Sequence, residues 1–210
     1  MTGRAVKQER AERTRAAVVL AASEEFKERG FAGASVARIA DRAGVTLGAV
    51  YFHFPSKNEL ARDIVSRQPD FVAPPLPAQG LQRVVDVTLT WAYQLLDDPV
   101  LQAGARLVWE QERFMEPELN SHDQWATLLL PELRTAQRQR ELRTGTDVVA
   151  VARLVVNACT GAQMHSYVEA RHRDLPQRVE EIWRCLLPAV AVPSAARRIE
   201  LGEYRGRPAD

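Results

Sequence analysis

Apolar positions recur at helical spacing along nearly the whole chain, and no alternating run is long enough to build a sheet. Ala16, Val19, Leu20, Ala22, Ser23 and Phe26 predict a first helix that ends at Gly30. From Ala34 to Phe54 the pattern shortens: Val36, Ile39 and Ala40 fall at i, i+3 and i+4, an apolar stripe that has to be buried. Ser35 stands where an N-cap belongs, Gly44 supplies the left-handed stop, and Val45 follows as a small apolar plug. Thr46 is placed to cap a second short helix opening on Leu47, Gly48 and Ala49, residues small or apolar enough for close approach to another surface. Two short helices joined by a glycine turn predict a helix-turn-helix, whose second helix meets base edges in the major groove.

The periodicity continues beyond it. Ser56 and Glu59 have the spacing of a capping box for a third helix carrying Leu60, Ile64 and Val65. Pro69, Pro74, Pro75 and Pro77 then predict a stiff connector, dividing the chain into residues 1–67, a connector at 68–80 and a second domain at 81–210. The second domain reads as helices throughout: Leu81 to Leu96, Val100 to Phe114, His122 to Gln139 with a bend at Pro131, and a long helix capped by Asp147. After Pro176, Val179, Ile182, Trp183, Leu186, Leu187 and Val190 form a regular stripe, and beyond Pro193 a charged tail is expected to fray. The fold class is all-α, with an N-terminal three-helix DNA-binding domain and a C-terminal helical domain.

Charge changes this picture only when divided along the chain. The net charge is +1, yet residues 1–67 hold 12 Lys or Arg against 8 Asp or Glu, a net of +4, and the rest carries −3. Positive potential is thus local, and Lys7, Arg10, Arg13 and Arg15 crowd the start, where they can reach phosphates. Lys57 stands at a helix N-terminus, an unfavourable place for a cation unless a phosphate lies nearby. No apolar run approaches a membrane span and the N-terminus is not signal-like, so a cytoplasmic protein is expected. Cys159 and Cys185 give neither a metal spacing nor a disulfide framework and are expected as buried free thiols. His53, His122, His165 and His172 form no i, i+4 metal pair. A phosphate loop, a nucleophile elbow and a CxxC are likewise lacking, so no cofactor or metal is expected and an enzyme is only a remote alternative.

The turn and the cluster Tyr51, Phe52, His53, Phe54, followed by Pro55, Ser56, Lys57, Asn58, Glu59 and Leu60, resemble the TetR family of transcriptional repressors. The resemblance implies operator contacts from Ser35, Thr46, Leu47, Gly48, Tyr51, His53 and Lys57. It also implies a homodimer whose two reading helices match a palindromic site, with final helices that pair. Trp183 is the foremost expected interface residue, and Val179 and Leu186 are expected either at the interface or in the domain's own core. The second domain resembles the actinomycete γ-butyrolactone autoregulator receptors in DDPVLQAGARLVWEQ (Asp97–Gln111), in the isolated Trp125 and in VVNACTGAQ (Val155–Gln163). That implies a lactone or butenolide effector covered by Trp125, release from the operator, and control of antibiotic genes. Thr160 is the candidate polar anchor and Gln163 a weaker one. An antibiotic or another hydrophobic effector is the alternative. Many relatives carry lysine where this chain has Leu47, so the family operator is not expected to transfer unaltered.

Overall fold

A computed structural model of the chain describes residues 3–117 and 120–208. Among them the regular structure is helical, and the only strand-like pairing is an isolated bridge between Leu142 and Ala191. The residues form two compact units, 1–68 with 98–120, and 69–97 with 121–210.

The first unit contains α1 (Gly3–Gly33), α2 (Val36–Ala43), α3 (Leu47–His53), α4 (Lys57–Ser66) and α7 (Pro99–Leu107), which runs into a 3-10 turn at Val108–Arg113. Gly30 interrupts α1 at φ 67° and ψ −178°, as the sequence pattern expects. The Glu110 carboxylate accepts from the freed N–H groups of Phe31 (2.9 Å) and Ala32 (3.3 Å) just beyond this break. A side chain at Gly30 would put its Cβ 2.4 Å from that carboxylate. Phe26, Ile39, Val50, Phe54, Leu60 and Ile64 share one core with Ala103, Leu107, Phe114 and Met115. The Phe31 and Phe114 rings lie 4.8 Å apart, and Arg62 donates to the Phe114 carbonyl at 2.9 Å. Residues 98–120 therefore pack as part of the N-terminal unit, whereas the sequence pattern groups them with residues 81–210. Gly104 shows the closeness involved, since a Cβ there would overlap the Gln68 amide.

The second unit contains α5 (Gln68–Phe71, opening on the unit boundary), α6 (Gly80–Gln94), α8 (Ser121–Arg138), α9 (Val148–Ala170), α10 (Leu175–Val190), α11 (Pro193–Ala196) and α12 (Glu203–Gly206). α5 places one helical turn inside the proline-rich connector. Asp147 caps α9 by accepting from Val149 N (2.9 Å) and Ala150 N (3.2 Å). α6 is buried along Leu81, Val84, Val85, Leu89 and Ala92, and packs with α8, α10 and α12.

The tail is docked, not frayed. Gln82 exchanges hydrogen bonds with the Glu200 backbone (2.8 and 3.0 Å), Arg207 pairs with Asp97 at 2.8 Å, and Gly206 closes onto the Leu89 backbone. Between these contacts the Arg205 guanidinium grips Asp86 through two hydrogen bonds, with both side chains nearly inaccessible. Gln82, Asp86, Leu89 and Tyr93 recur at i, i+4, i+7 and i+11 on one face of α6, and with Asp97 in the turn that follows they hold the tail. A charged, glycine-containing sequence predicts fraying, but paired charges and close backbone approach reverse it.

His172 follows α9 with φ 70°, its N–H bonded to the Ser166 carbonyl. Burial, with Arg171 nearby and Asp174 opposing, depresses its pKa to about 4. Between about pH 6.5 and 4 the unfolded chain binds a proton that the folded chain refuses, so stability rises with pH across that window. Unfolding free energy is expected to level off above pH 6.5 and to fall as pH drops toward 4. Denaturation of His172→Asn at several pH values should show a shallower fall, and an equal slope would refute the assignment.

Candidate functional site

The first candidate surface is built on α2, the turn and α3. Gly44 adopts φ 65° and ψ 32°, and its N–H and that of Val45 return to the end of α2. Thr46 Oγ1 accepts from Ala49 N at 3.2 Å, capping α3 as its sequence position predicts. Ser35 holds the N-cap position of α2 without a side-chain capping bond. Glu25, 1% exposed, accepts instead from the Ser35 backbone N–H (3.4 Å) and from Arg38 Nε (2.6 Å), tying the start of α2 to α1. A carboxylate ten residues earlier cannot be foreseen as such a tie from local spacing.

α3 buries Val50 and turns the opposite face outward. Gly48 and Phe52 lie at its centre, flanked by Leu47 and Tyr51, and Phe52 is 79% exposed. No heavy atom comes closer than 4.0 Å to a Cβ built at Gly48. His53 sits at the edge, its ring 5.1 Å from Phe52 in a T-shaped contact. A helix of this size keeping its large apolar residues outside is a surface prepared for contact.

Lys57, expected at a phosphate, is also tied to its own chain. Its ammonium donates to the carbonyls of Phe31 (2.8 Å) and Ala34 (3.2 Å) and lies 4.4 Å from the Phe31 ring centroid. These partners resolve the unfavourable dipole position without DNA, and the lysine acts as a latch between α4 and the α1–α2 junction. Ser56 Oγ accepts from Glu59 N at 3.1 Å, but the Glu59 carboxylate pairs with Arg62, so half the capping box forms. Nearby guanidinium groups are also committed. Arg38 bonds Glu25 and the Gly33 carbonyl. Arg42 grips Glu28 and Glu24, whose carboxylates hold its pKa well above the usual arginine range.

In the second unit, Trp125 is half-buried on α8, its ring 6.4 Å from that of Trp91 on α6 and tilted by 65°. Gln163 lies on the buried side of α9, with Thr160 one turn before it and half-buried. Cys159 is buried, which raises its thiol pKa to about 12. Thr90 and Gln94, one turn apart on α6, carry buried oxygens without a partner that the sequence reading did not single out. Buried hydroxyls and amides normally find partners, so the unmet ones are the signal.

The expected pairing residues divide into two faces. Val179 and Trp183 are fully buried within the unit, and Trp183 Nε1 donates to Thr88 Oγ1 at 2.8 Å, so neither is available to a second chain. Leu186 belongs to the other face. With Ile182 and Cys185 it lines a shallow groove of about 500 Å³ against Ala158, Gly161 and Ala162 of α9. Cys185 is exposed there, contrary to the expectation of a buried thiol. The apolar stripe of α10 is wide enough to serve both faces, and spacing alone merges them. The sequence signal for the groove is the run of small residues on α9.

Residues 18–64 match the bacterial regulatory proteins of the tetR family, and residues 78–193 match the tetracyclin repressor-like C-terminal domain. The A-factor receptor protein of Streptomyces griseus is 32% identical over 92% of this chain and 70% of its own length. The crystal structure of TylP, a tetR regulator from Streptomyces fradiae, superposes with a TM-score of 0.85 at 36% identity, covering 94% of this chain and 95% of that one. A γ-butyrolactone receptor described as ArpA-like superposes at 0.69 with 28% identity, covering 90% and 94%.

Proposed function

The chain belongs to the TetR family of bacterial regulatory proteins, and from that premise we propose that it is a cytoplasmic, homodimeric repressor released from palindromic operators by a γ-butyrolactone or butenolide. The observation that carries the DNA half is the outward face of α3, capped by Thr46 and unobstructed at Gly48. Ser35, Thr46, Leu47, Gly48, Tyr51, His53 and Lys57 are its candidate DNA contacts, with Phe52 beside them. Support for the effector half comes from the likeness to the A-factor and γ-butyrolactone receptors, and from a half-buried tryptophan pair beside helices bearing polar anchors. Trp125 is proposed to cover the effector, with Thr160 and Gln163 supplying hydroxyl and amide to a lactone carbonyl or hydroxyl. The promoters it controls are those of antibiotic production.

Homodimerisation is assigned to the α9–α10 groove. Leu186, Ile182 and the small residues of α9 would bury against their copies. Two reading helices about 34 Å apart then match one turn of DNA. Release follows from linkage: an effector binding the arrangement with weak DNA affinity better must lower DNA affinity by the same factor.

An electrophoretic shift assay on the chain's own promoter, titrated with lactones, butenolides and antibiotics, tests this reading. Release by a lactone or butenolide is the expected result. Release by an antibiotic alone would move the effector class. Retention with every compound would end the sensor reading.

A further inference from the structure

We infer that the α3 face reads its operator through thymine methyl groups, with Leu47 and Phe52 as the specificity-determining contacts. The inference rests on the DNA-binding reading above and adds the chemistry of the sequence recognised.

α3 runs LGAVYFH, and His53 is the only residue on it able to carry charge. Its exposed side offers Leu47 at 45%, Tyr51 at 46% and Phe52 at 79% exposure around an open Gly48. Strong discrimination for guanine uses a bidentate guanidinium or an ammonium at O6 and N7, and α3 has neither. The cations that could reach across from neighbouring elements are already held: Arg38 by Glu25, Arg42 by Glu28 and Glu24, and Lys57 by two carbonyls. Drawing any of them to a base would break an ion pair or, at Lys57, hydrogen bonds to two carbonyls, whereas Leu47 and Phe52 lose only water.

The major groove has one apolar landmark, the thymine C5 methyl. Gly48 permits the backbone of α3 to come close to the groove floor, and Leu47 and Phe52 then present apolar surface on either side of it. Tyr51 contributes a single hydroxyl, too little to specify a base pair by paired hydrogen bonds. The half-site that such a face favours has thymines opposite Leu47 and Phe52. Apolar surface buried against the methyl supplies the preference.

The test begins with selection of bound duplexes from a random-sequence library by the full-length protein. Thymine is expected at two or more positions of each selected half-site. Replacing those thymines singly by deoxyuridine removes only the methyl, and each replacement is expected to weaken binding about fourfold, the worth of one buried methyl-sized group. Leu47→Ala and Phe52→Ala should each abolish the deoxyuridine penalty at one position and keep it at the other. Both side chains are exposed, and folding of the variants is checked by circular dichroism. Selected half-sites whose deoxyuridine forms bind as tightly as the thymine forms overturn the inference while the DNA-binding reading stands. Enrichment of no sequence together with no DNA binding overturns both.

Discussion

Replacing Asp86 by alanine is expected to lower the unfolding free energy by about 3–5 kcal/mol, the cost of leaving one partner of a buried ion pair uncompensated. The Arg205 guanidinium comes from the C-terminal tail and lies 8% exposed against an Asp86 side chain that is fully buried. Without the carboxylate, the tail either keeps a buried unpaired cation or leaves α6. Leaving exposes the Leu89 and Tyr93 surface that Gly206 covers. Urea denaturation of Asp86→Ala, of Arg205→Ala and of the double variant separates these terms. The double variant should recover part of the loss, because it removes the orphaned charge. A cost for Asp86→Ala within about 0.5 kcal/mol, as for an ordinary surface change, would mean that the tail does not hold the unit together.

Trp183→Ala is expected to cost a similar amount, about 3–5 kcal/mol, through the cavity left by a large buried side chain. The substitution also removes the donor to Thr88 Oγ1, although that hydroxyl keeps its own bond to the Val85 carbonyl. The distinguishing readout is oligomeric state. At a temperature where Trp183→Ala remains folded, sedimentation should give the wild-type mass, whereas Leu186→Glu on the outward edge of the α10 apolar band should yield folded monomers. A monomeric but fully stable Trp183→Ala would return this tryptophan to the interface.

The two faces of α10 show what periodicity carries and what it omits. Val179, Ile182, Trp183, Leu186, Leu187 and Val190 announce a helix with a broad apolar band. Which edge of the band meets the unit's own core depends on where α6 and α9 lie, and that is a long-range matter. Ser35 and Lys57 are similar cases. Local spacing predicts a cap and a phosphate contact, but it does not show that Glu25 meets the Ser35 N–H or that two backbone carbonyls hold the lysine. The residues 98–120 are the largest example: their helical pattern is plain, yet Phe114 and Glu110 act in the unit that begins the chain.

The all-helical class, the glycine turn with its Thr46 cap, and the family are legible in the order of the residues. Each depends on residues near one another in the chain, where dihedral preference, capping and side-chain period act directly. Tertiary structure alone decided that the cations around α3 are paired, that its reading face is apolar, that Trp183 is core and that the tail is strapped to α6. Those outcomes depend on which distant groups satisfy each buried charge, donor and apolar surface, and a one-dimensional pattern does not specify that choice.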